Sequence, residues 1–181
     1  MRAYKGFNSN LDCTRGSGTF HYEVGKTYKE DSAKCASSGF HCVEQPLDVL
    51  TWYDGYGARY CEVEAAGDVN EDGTDRISCT EISIVRELTL EQIAALECLW
   101  IEAHPERKTS IHVVKDYGKA YKDGVIVVEG RHPKAEGELG SMIFLIKRDR
   151  RNEVSDIGIY AIDGKDHLPG VKYNVLGRAV K

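Results

Sequence analysis

The alternation of apolar and polar positions predicts a compact strand–helix–strand unit between Ser38 and Val69. The helix begins at Pro46, where proline is well placed because an N–H in the first turn has no partner inside the helix. The strand before it carries His41, and the strand after it ends in a Gly-Asp turn. This unit is the most specific piece of architecture that the pattern indicates.

One longer helix is predicted from Thr89 to His104. Thr89 is a good N-cap residue with Gln92 three positions later, which is the spacing of a capping box. Apolar residues then recur at helical spacing until Pro105 ends the pattern.

The polar stretch 106–110 suggests a boundary between an N-terminal domain (1–105) and a C-terminal region (106–181). In residues 109–140, glycines separate short apolar runs, a texture typical of the rungs of a degenerate β-solenoid. From Met142 onward, strands alternate with Asp-rich and Asp-Gly turns, as in a β-meander. The predicted fold class is α+β: a strand-rich N-terminal domain with one clear helix, then an all-β region.

Composition narrows the classes of partner. The 181 residues carry a net charge of -5, which disfavours nucleic-acid binding through a general basic surface. No apolar run has the length of a membrane span, and residues 1–10 lack the apolar core of a signal peptide. We therefore expect a soluble cytoplasmic protein with no membrane contact.

Six cysteines without an export signal or a CxxC motif indicate reduced thiols in the core. Two alternatives stay open: disulfides, and a zinc site that draws on Cys13, Cys35, Cys42 or His41. No resident metal is assigned on this basis.

His41 is the main candidate for chemistry, because the pKa of an imidazole near neutrality permits acid–base work. The alternative is a half-buried histidine that satisfies a backbone carbonyl. Nearby aromatic residues form either core or pocket wall, namely Trp52, Tyr53, Tyr56 and Tyr60.

Two charged segments have simple structural interpretations. Asp68–Asp75 opens like an EF-hand calcium loop, but Cys79 stands where the loop needs a bidentate glutamate, which favours an acidic hairpin connection over calcium binding. Lys147–Arg151 lies between two predicted strands and is interpreted as a solvated hairpin tip, with phosphate contact as the alternative.

Several blocks resemble an uncharacterised family encoded by tailed bacteriophages and prophages: AYKGF, YEVGKTY, SGFH followed by PLDV, RYCEVEAAGDV, AEGELGSMIFLIKRD and AIDGKD. The resemblance covers most of the chain and carries no established activity. It implies a phage-encoded accessory protein. We expect such a protein to bind a host or phage macromolecule, to self-associate through its C-terminal β region, and to need no cofactor.

The order of SGFHCVEQPLDVLTWY and RYCEVEAAGDV also resembles the middle of the ADP-ribosyltransferases related to poly-ADP-ribose polymerase. That resemblance implies an NAD-dependent enzyme with a cleft around Tyr4, His41 and Glu81. Arg2 or Lys5 could take the first position instead of Tyr4, and Glu87 could take the last. A carboxylate in such a site stabilises the oxocarbenium-like ribose.

Overall fold

The structure is a computed structural model that describes residues 1–15, 18–55, 57–71, 73 and 75–181. Its contacts divide the chain into two compact units, Met1–Thr89 and Leu90–Lys181. Strands dominate both units, so the predicted α+β, mostly β fold class is confirmed. None of the helices in the described part of the chain is long and apolar enough to cross a membrane.

The described residues of the first unit form seven strands, a 3₁₀ turn and one short helix. In chain order they are β1 (Arg2–Phe7), β2 (Asp12–Cys13), β3 (Phe20–His21), β4 (Thr27–Lys29), β5 (Phe40–Val43), the 3₁₀ turn Pro46–Asp48, α1 (Val49–Trp52), β6 (Arg59–Glu71) and β7 (Arg76–Leu88). The helix predicted at Pro46 is therefore a 3₁₀ turn followed by a single α-helical turn.

The main sheet of this unit closes on itself. Strand β1 pairs with β5 and β6, and β7 pairs with β6 along one edge and with β5 and β4 along the other, all antiparallel. The ring β1-β5-β7-β6 is thus a small barrel. A register shift between Ala66 and Val69 bends β6, and Gly67 lies there at φ +70°, where a side chain would collide with Thr80.

Alternation along β1 places Ala3, Lys5 and Phe7 on the face that points into the barrel. Ala3 and Phe7 are fully buried in the interior cluster, together with apolar side chains from β5, β6 and β7, namely Phe40, Cys42, Cys61, Val63, Ala65, Ile77, Cys79, Ile82 and Ile84. Burial of each larger apolar side chain contributes roughly 1.5–3 kcal/mol. Lys5 is a charged residue on an otherwise apolar face.

The second unit contains one helix and six strands: α2 (Leu90–Ala103), β8 (Val113–Ala120), β9 (Val125–Gly137), β10 (Met142–Arg148), β11 (Val154–Ala161), β12 (Lys172–Asn174) and β13 (Ala179–Val180). The contacts of α2 are with β9, β10 and β11, so the helix belongs to this unit, whereas the predicted boundary at residue 105 placed it in the first. The sequence marks the two ends of the helix but not the sheet that covers its apolar side.

Strands β8, β9 and β10 stack in parallel as short rungs. Val113 pairs with Val127, which pairs with Phe144. Only residues 121–124 separate β8 from β9, although a parallel return normally needs a dozen residues or more. The return is possible because the pairing breaks after Lys115, where each strand turns a corner, which is the solenoid-like geometry that the glycine spacing predicts.

The corner also explains two conformations. Asp116 has φ +63°, and a side chain at Gly130 would collide with its carboxylate. Strands β10 and β11 then form an antiparallel pair, and β12 pairs with both β9 and β13. The strands predicted for the end of the chain are therefore present, but β11 and β12 are not neighbours, so these strands do not form the predicted meander.

Candidate functional site

A cavity of about 650 Å³ lies in the first unit where two barrel strands separate. Strands β1 and β5 pair only at Tyr4 and Val43, and beyond that pair their backbones diverge. The lining comes from both strands, from α1 and from residues 13–22 and 36–39. The closed sheet therefore has one opening in its wall among the described strands, and the cavity occupies it.

Lys5 lies at the floor of this cavity. Its side chain is buried, with the whole residue 7% exposed, and Nζ donates a hydrogen bond to the backbone oxygen of His41 at 2.5 Å. Nζ also lies 5.6 Å from the centre of the Phe7 ring and 5.3 Å from that of Tyr22. In the described part of the chain, no carboxylate forms an ion pair with this ammonium group.

The groups beside Lys5 include two that stay neutral. Burial holds the pKa of Tyr22 far above its usual value. A hydrogen bond with Cys79, followed by burial, raises the pKa of Cys42. The pKa of Cys79 is lowered, first by the hydrogen bond from Cys42, with burial opposing the shift and Lys5 adding to it. Tyr22 and Cys42 therefore do not balance the charge on Lys5.

The cavity is cationic although the chain is acidic. Its described lining contains Lys5, Arg15 and Arg76 but a single carboxylate, Glu30. Arg76 lies over the ring of Trp52 at 5.1 Å, and Arg15 over that of Tyr53 at 5.6 Å. The net charge of the whole chain is -5, so the cavity lining differs in sign from the chain as a whole.

His41 lines the cavity but is engaged in holding the backbone. Its Nε2 accepts a hydrogen bond from the N–H of Ala36 at 3.0 Å, at a residue with φ +61°. Burial lowers the pKa of the imidazole, and the charges of Lys5 and Arg76 lower it further. The ring is half-buried and supports the turn at 36–39 as the acceptor for a backbone N–H, whereas the sequence interpretation expected a contact with a backbone carbonyl.

The structure brings together two of the three residues predicted for a transferase cleft. Tyr4 and His41 both line the cavity. Glu81 does not, and its Oε2 instead forms an ion pair with Lys29 Nζ at 2.9 Å, on a neighbouring strand. Glu87, the other predicted carboxylate, is held by Arg59 through both oxygens at 2.6 Å, and this hydrogen bonding lowers the pKa of Glu87.

Of the aromatic residues that the sequence analysis singled out, some line the cavity and others do not. Trp52 and Tyr53 line the cavity, whereas Tyr60 donates a hydrogen bond to the backbone oxygen of Tyr53 and is absent from the lining. Tyr56 lies outside the described residues. The same is true of two residues of the calcium-loop motif, Asp72 and Thr74.

The six cysteines are free thiols. Among the described residues, no group of three or more His, Cys, Asp or Glu side chains gathers where it could hold a metal ion. Two charged residues of the cavity, Glu30 and Arg76, escaped the sequence interpretation, and Lys5 was considered only as an alternative to Tyr4. The available signal was a lysine on the apolar face of β1.

Comparisons with known proteins give one result. No curated protein and no solved structure matches the chain. Residues 1–96, which include the whole first unit and its cavity, match the family DUF7666, described as a domain of unknown function. Since the match covers more than half of the chain, the protein belongs to the DUF7666 family.

Proposed function

We propose that the first unit is a binding module that holds a small organic anion in the barrel cavity. The observation that carries this proposal is the buried ammonium group of Lys5, which faces a cavity and has no carboxylate partner among the described residues. A buried charge is costly unless a counter-charge or several hydrogen bonds compensate it. An anionic ligand supplies that compensation.

The cavity has the general form of a small-molecule site. Its volume of about 650 Å³ falls in the range of ligand pockets. Its walls carry apolar and aromatic side chains, including Phe40, Val49 and Trp52, and a few polar groups converge on it. This combination favours an anion that also carries a flat or apolar part.

Isothermal titration calorimetry with pairs of charged and neutral compounds tests the proposal. Suitable pairs are indole-3-acetate with indole-3-acetamide, and a nucleoside monophosphate with its nucleoside. We expect the anion of at least one pair to bind and its neutral counterpart to bind at least about tenfold more weakly. Equal binding within every pair, or no binding at all, would overturn the proposal.

The variant Lys5→Met, compared with a control, distinguishes a direct contact of Lys5 with the ligand from an effect of the net charge of the protein. Methionine keeps a similar length and lacks the ammonium group, so we expect anion binding to be lost while the barrel folds. Lys29→Met is the matched control, because Lys29 is exposed and pairs with Glu81 away from the cavity. An equal loss in both variants would point to net charge and not to the cavity.

An NAD-dependent transferase is the second candidate, since Tyr4 and His41 both line the cavity. The placement of Glu81 weighs against it, because this carboxylate pairs with Lys29. Incubation with labelled NAD and a bacterial lysate tests the idea. Label transfer that disappears in Glu81→Gln would support the enzyme, and absence of transfer together with no thermal shift by NAD would end it.

A phage origin, a macromolecular partner and self-association stay predictions from the sequence. The second unit offers exposed apolar side chains, including Ile111, Tyr121, Ile159 and Leu176. Strand β11 pairs only with β10 in the described sheet, so its other edge is open to a further strand. Light scattering at high concentration tests self-association: we expect an oligomer that Ile159→Lys dissociates, and a monomer would contradict it.

A further inference from the structure

The polar groups that line the cavity differ in how deeply they are buried. Lys5 and Cys42 are buried at the floor, with 7% and 4% of each residue exposed. Thr19, Glu30 and Ser37 also line the cavity but are exposed, which places them at the rim. A ligand that reaches Lys5 therefore enters with its anionic end first and leaves its other end among hydroxyl and carboxylate groups.

Aromatic side chains connect the floor to the rim. Phe20 is 41% exposed, and its ring centre lies 4.7 Å from that of Tyr22 and 5.7 Å from that of Phe40. Because Tyr22 and Phe40 are buried and Phe20 is not, the cluster offers one ring whose surface a ligand can cover. Stacking of a nucleobase on an aromatic side chain contributes about 1–3 kcal/mol.

Glu30 determines which chemical groups suit the rim. Its Oε2 accepts a hydrogen bond from the N–H of Gly39 at 3.1 Å, which fixes the carboxylate against the 36–39 turn. The hydrogen bonds described for Glu30 use only this oxygen, so Oε1 can accept from a ligand. A carboxylate accepts and cannot donate at neutral pH, so it selects a ligand with N–H or O–H groups at that end.

We infer that the ligand is a nucleoside monophosphate, bound with its phosphate toward Lys5 and an amino-bearing base at the rim beside Phe20 and Glu30. This inference rests on the proposed anion-binding function and adds the ligand class and its orientation. A single buried cation suits one phosphate group, and the buried rings of Phe7 and Tyr22 beside the ammonium group offer no partner for a longer phosphate chain.

Calorimetry with GMP, AMP, CMP and UMP tests the ligand class, with guanosine, ribose 5-phosphate and indole-3-acetate as further probes. We expect a base with an amino group to bind about tenfold or more tightly than UMP, because an amino group can donate to a carboxylate, whereas the N3–H of uracil lies between two carbonyl oxygens that repel the carboxylate. Guanosine and ribose 5-phosphate, each lacking one end, should bind more weakly than GMP.

The outcomes separate the two proposals. Binding of indole-3-acetate without any nucleotide would leave the anion site standing and overturn the nucleotide inference. Binding of guanosine as tight as that of GMP would overturn the phosphate-inward orientation. Binding of no anion would overturn both.

Variants of the rim residues Glu30 and Phe20 test the orientation and leave the buried residue Lys5 in place. Glu30→Gln should remove most of the preference for GMP over UMP and leave UMP binding unchanged. Phe20→Ala should weaken every nucleotide by about tenfold through lost stacking. Lys29→Met, outside the cavity, should change neither the preference for GMP over UMP nor the affinity for nucleotides. Circular dichroism checks that each variant is folded. An unchanged GMP preference in Glu30→Gln would contradict the placement of the base.

Discussion

Arg148 Nε lies 2.6 Å from Glu129 Oε2 inside the second unit, where Glu129 is 0% and Arg148 7% exposed. Thr109 and Lys115 donate to the other oxygen of Glu129. The guanidinium group of Arg148 also donates to the backbone oxygens of Pro105 and Asn152. The network ties β9 and β10 to the chain after α2 and to the β10–β11 turn.

Glu129→Gln should destabilise the second unit by about 3–5 kcal/mol, because it leaves Arg148 buried without its counter-charge. The double variant Glu129→Leu with Arg148→Met should lose less, since it removes both charges. The chain has two tryptophans, and Trp100 lies in the second unit. Urea unfolding followed by Trp100 fluorescence in a Trp52→Phe background measures both effects. A single variant as stable as the wild type would show that the ion pair is dispensable.

The same carboxylate predicts acid sensitivity. Burial raises the pKa of Glu129, but the hydrogen bonds from Lys115, Thr109 and Arg148 outweigh it, so the pKa lies below its usual value. A lowered pKa stabilises the folded state above the unfolded pKa near 4.5, and that contribution is lost as pH falls through the folded value. We expect the urea concentration at the midpoint of unfolding of the second unit to decrease once the pH is lowered below about 4.5. In Glu129→Gln, this midpoint should depend less on pH.

His41 predicts a separate pH dependence for the first unit. The pKa of the folded imidazole is lowered, first by burial, so its contribution to stability is present above the unfolded value near 6.5 and lost at lower pH. We expect Trp52 fluorescence in a Trp100→Phe background to report lower stability at pH 5 than at pH 7. His41→Gln offers an amide oxygen as acceptor for the Ala36 N–H and should remove this slope. A slope that persists in the variant would assign it to another group.

Gly39 should tolerate no side chain. It has φ +85°, and a Cβ atom would lie 2.6 Å from Ser78 Oγ and 2.9 Å from the backbone oxygen of Cys79. Gly39→Ala should cost roughly 1–3 kcal/mol from the backbone conformation, plus the displacement of β7. Gly25→Ala is the control, because Gly25 has φ +84° and open space around it. Equal destabilisation of both variants would show that the close contact is relieved without cost.

Cys13 provides a label for the cavity. It is half-buried and lines the cavity, whereas the other five cysteines are buried. A thiol reagent should modify one cysteine in the native protein and six after unfolding. A ligand in the cavity should slow the native reaction, and mass spectrometry of the labelled peptide checks the assignment. An unchanged rate of Cys13 modification in the presence of a bound ligand would place the ligand elsewhere.

Local patterns of the sequence predicted the elements well, because capping residues and alternation act over a few positions. The helix predicted from Thr89 is observed over Leu90–Ala103, and the strand predicted over Gly39–Val43 is observed over Phe40–Val43. Long-range pairing was out of reach. No local signal shows that β1 joins β6 and β5 into a closed ring, and only that closure turns Lys5 from a strand residue into a cavity floor.

The solvated hairpin tip predicted at Lys147–Arg151 is wrong for Arg148, which is buried, and the reason is again a partner that lies far away in the sequence. A run of five mostly basic residues between strands is typical of a solvated tip, and Arg150 and Arg151 are indeed exposed. Arg148 is buried because Glu129, nineteen residues earlier, faces it across the β9–β10 pair. Residue type alone does not reveal such a partner.

Closure of the first sheet also determines the order of folding. Strand β1 pairs with β5 and β6, and β7 must pair with both β5 and β6 before the ring is complete, so the ring cannot close until residues through Leu88 have been made. Contacts of this span make folding slow, since a long loop must close before they form. A mutation that weakens β7 should therefore delay formation of the cavity during synthesis and expose β1 to chaperones and proteases for longer.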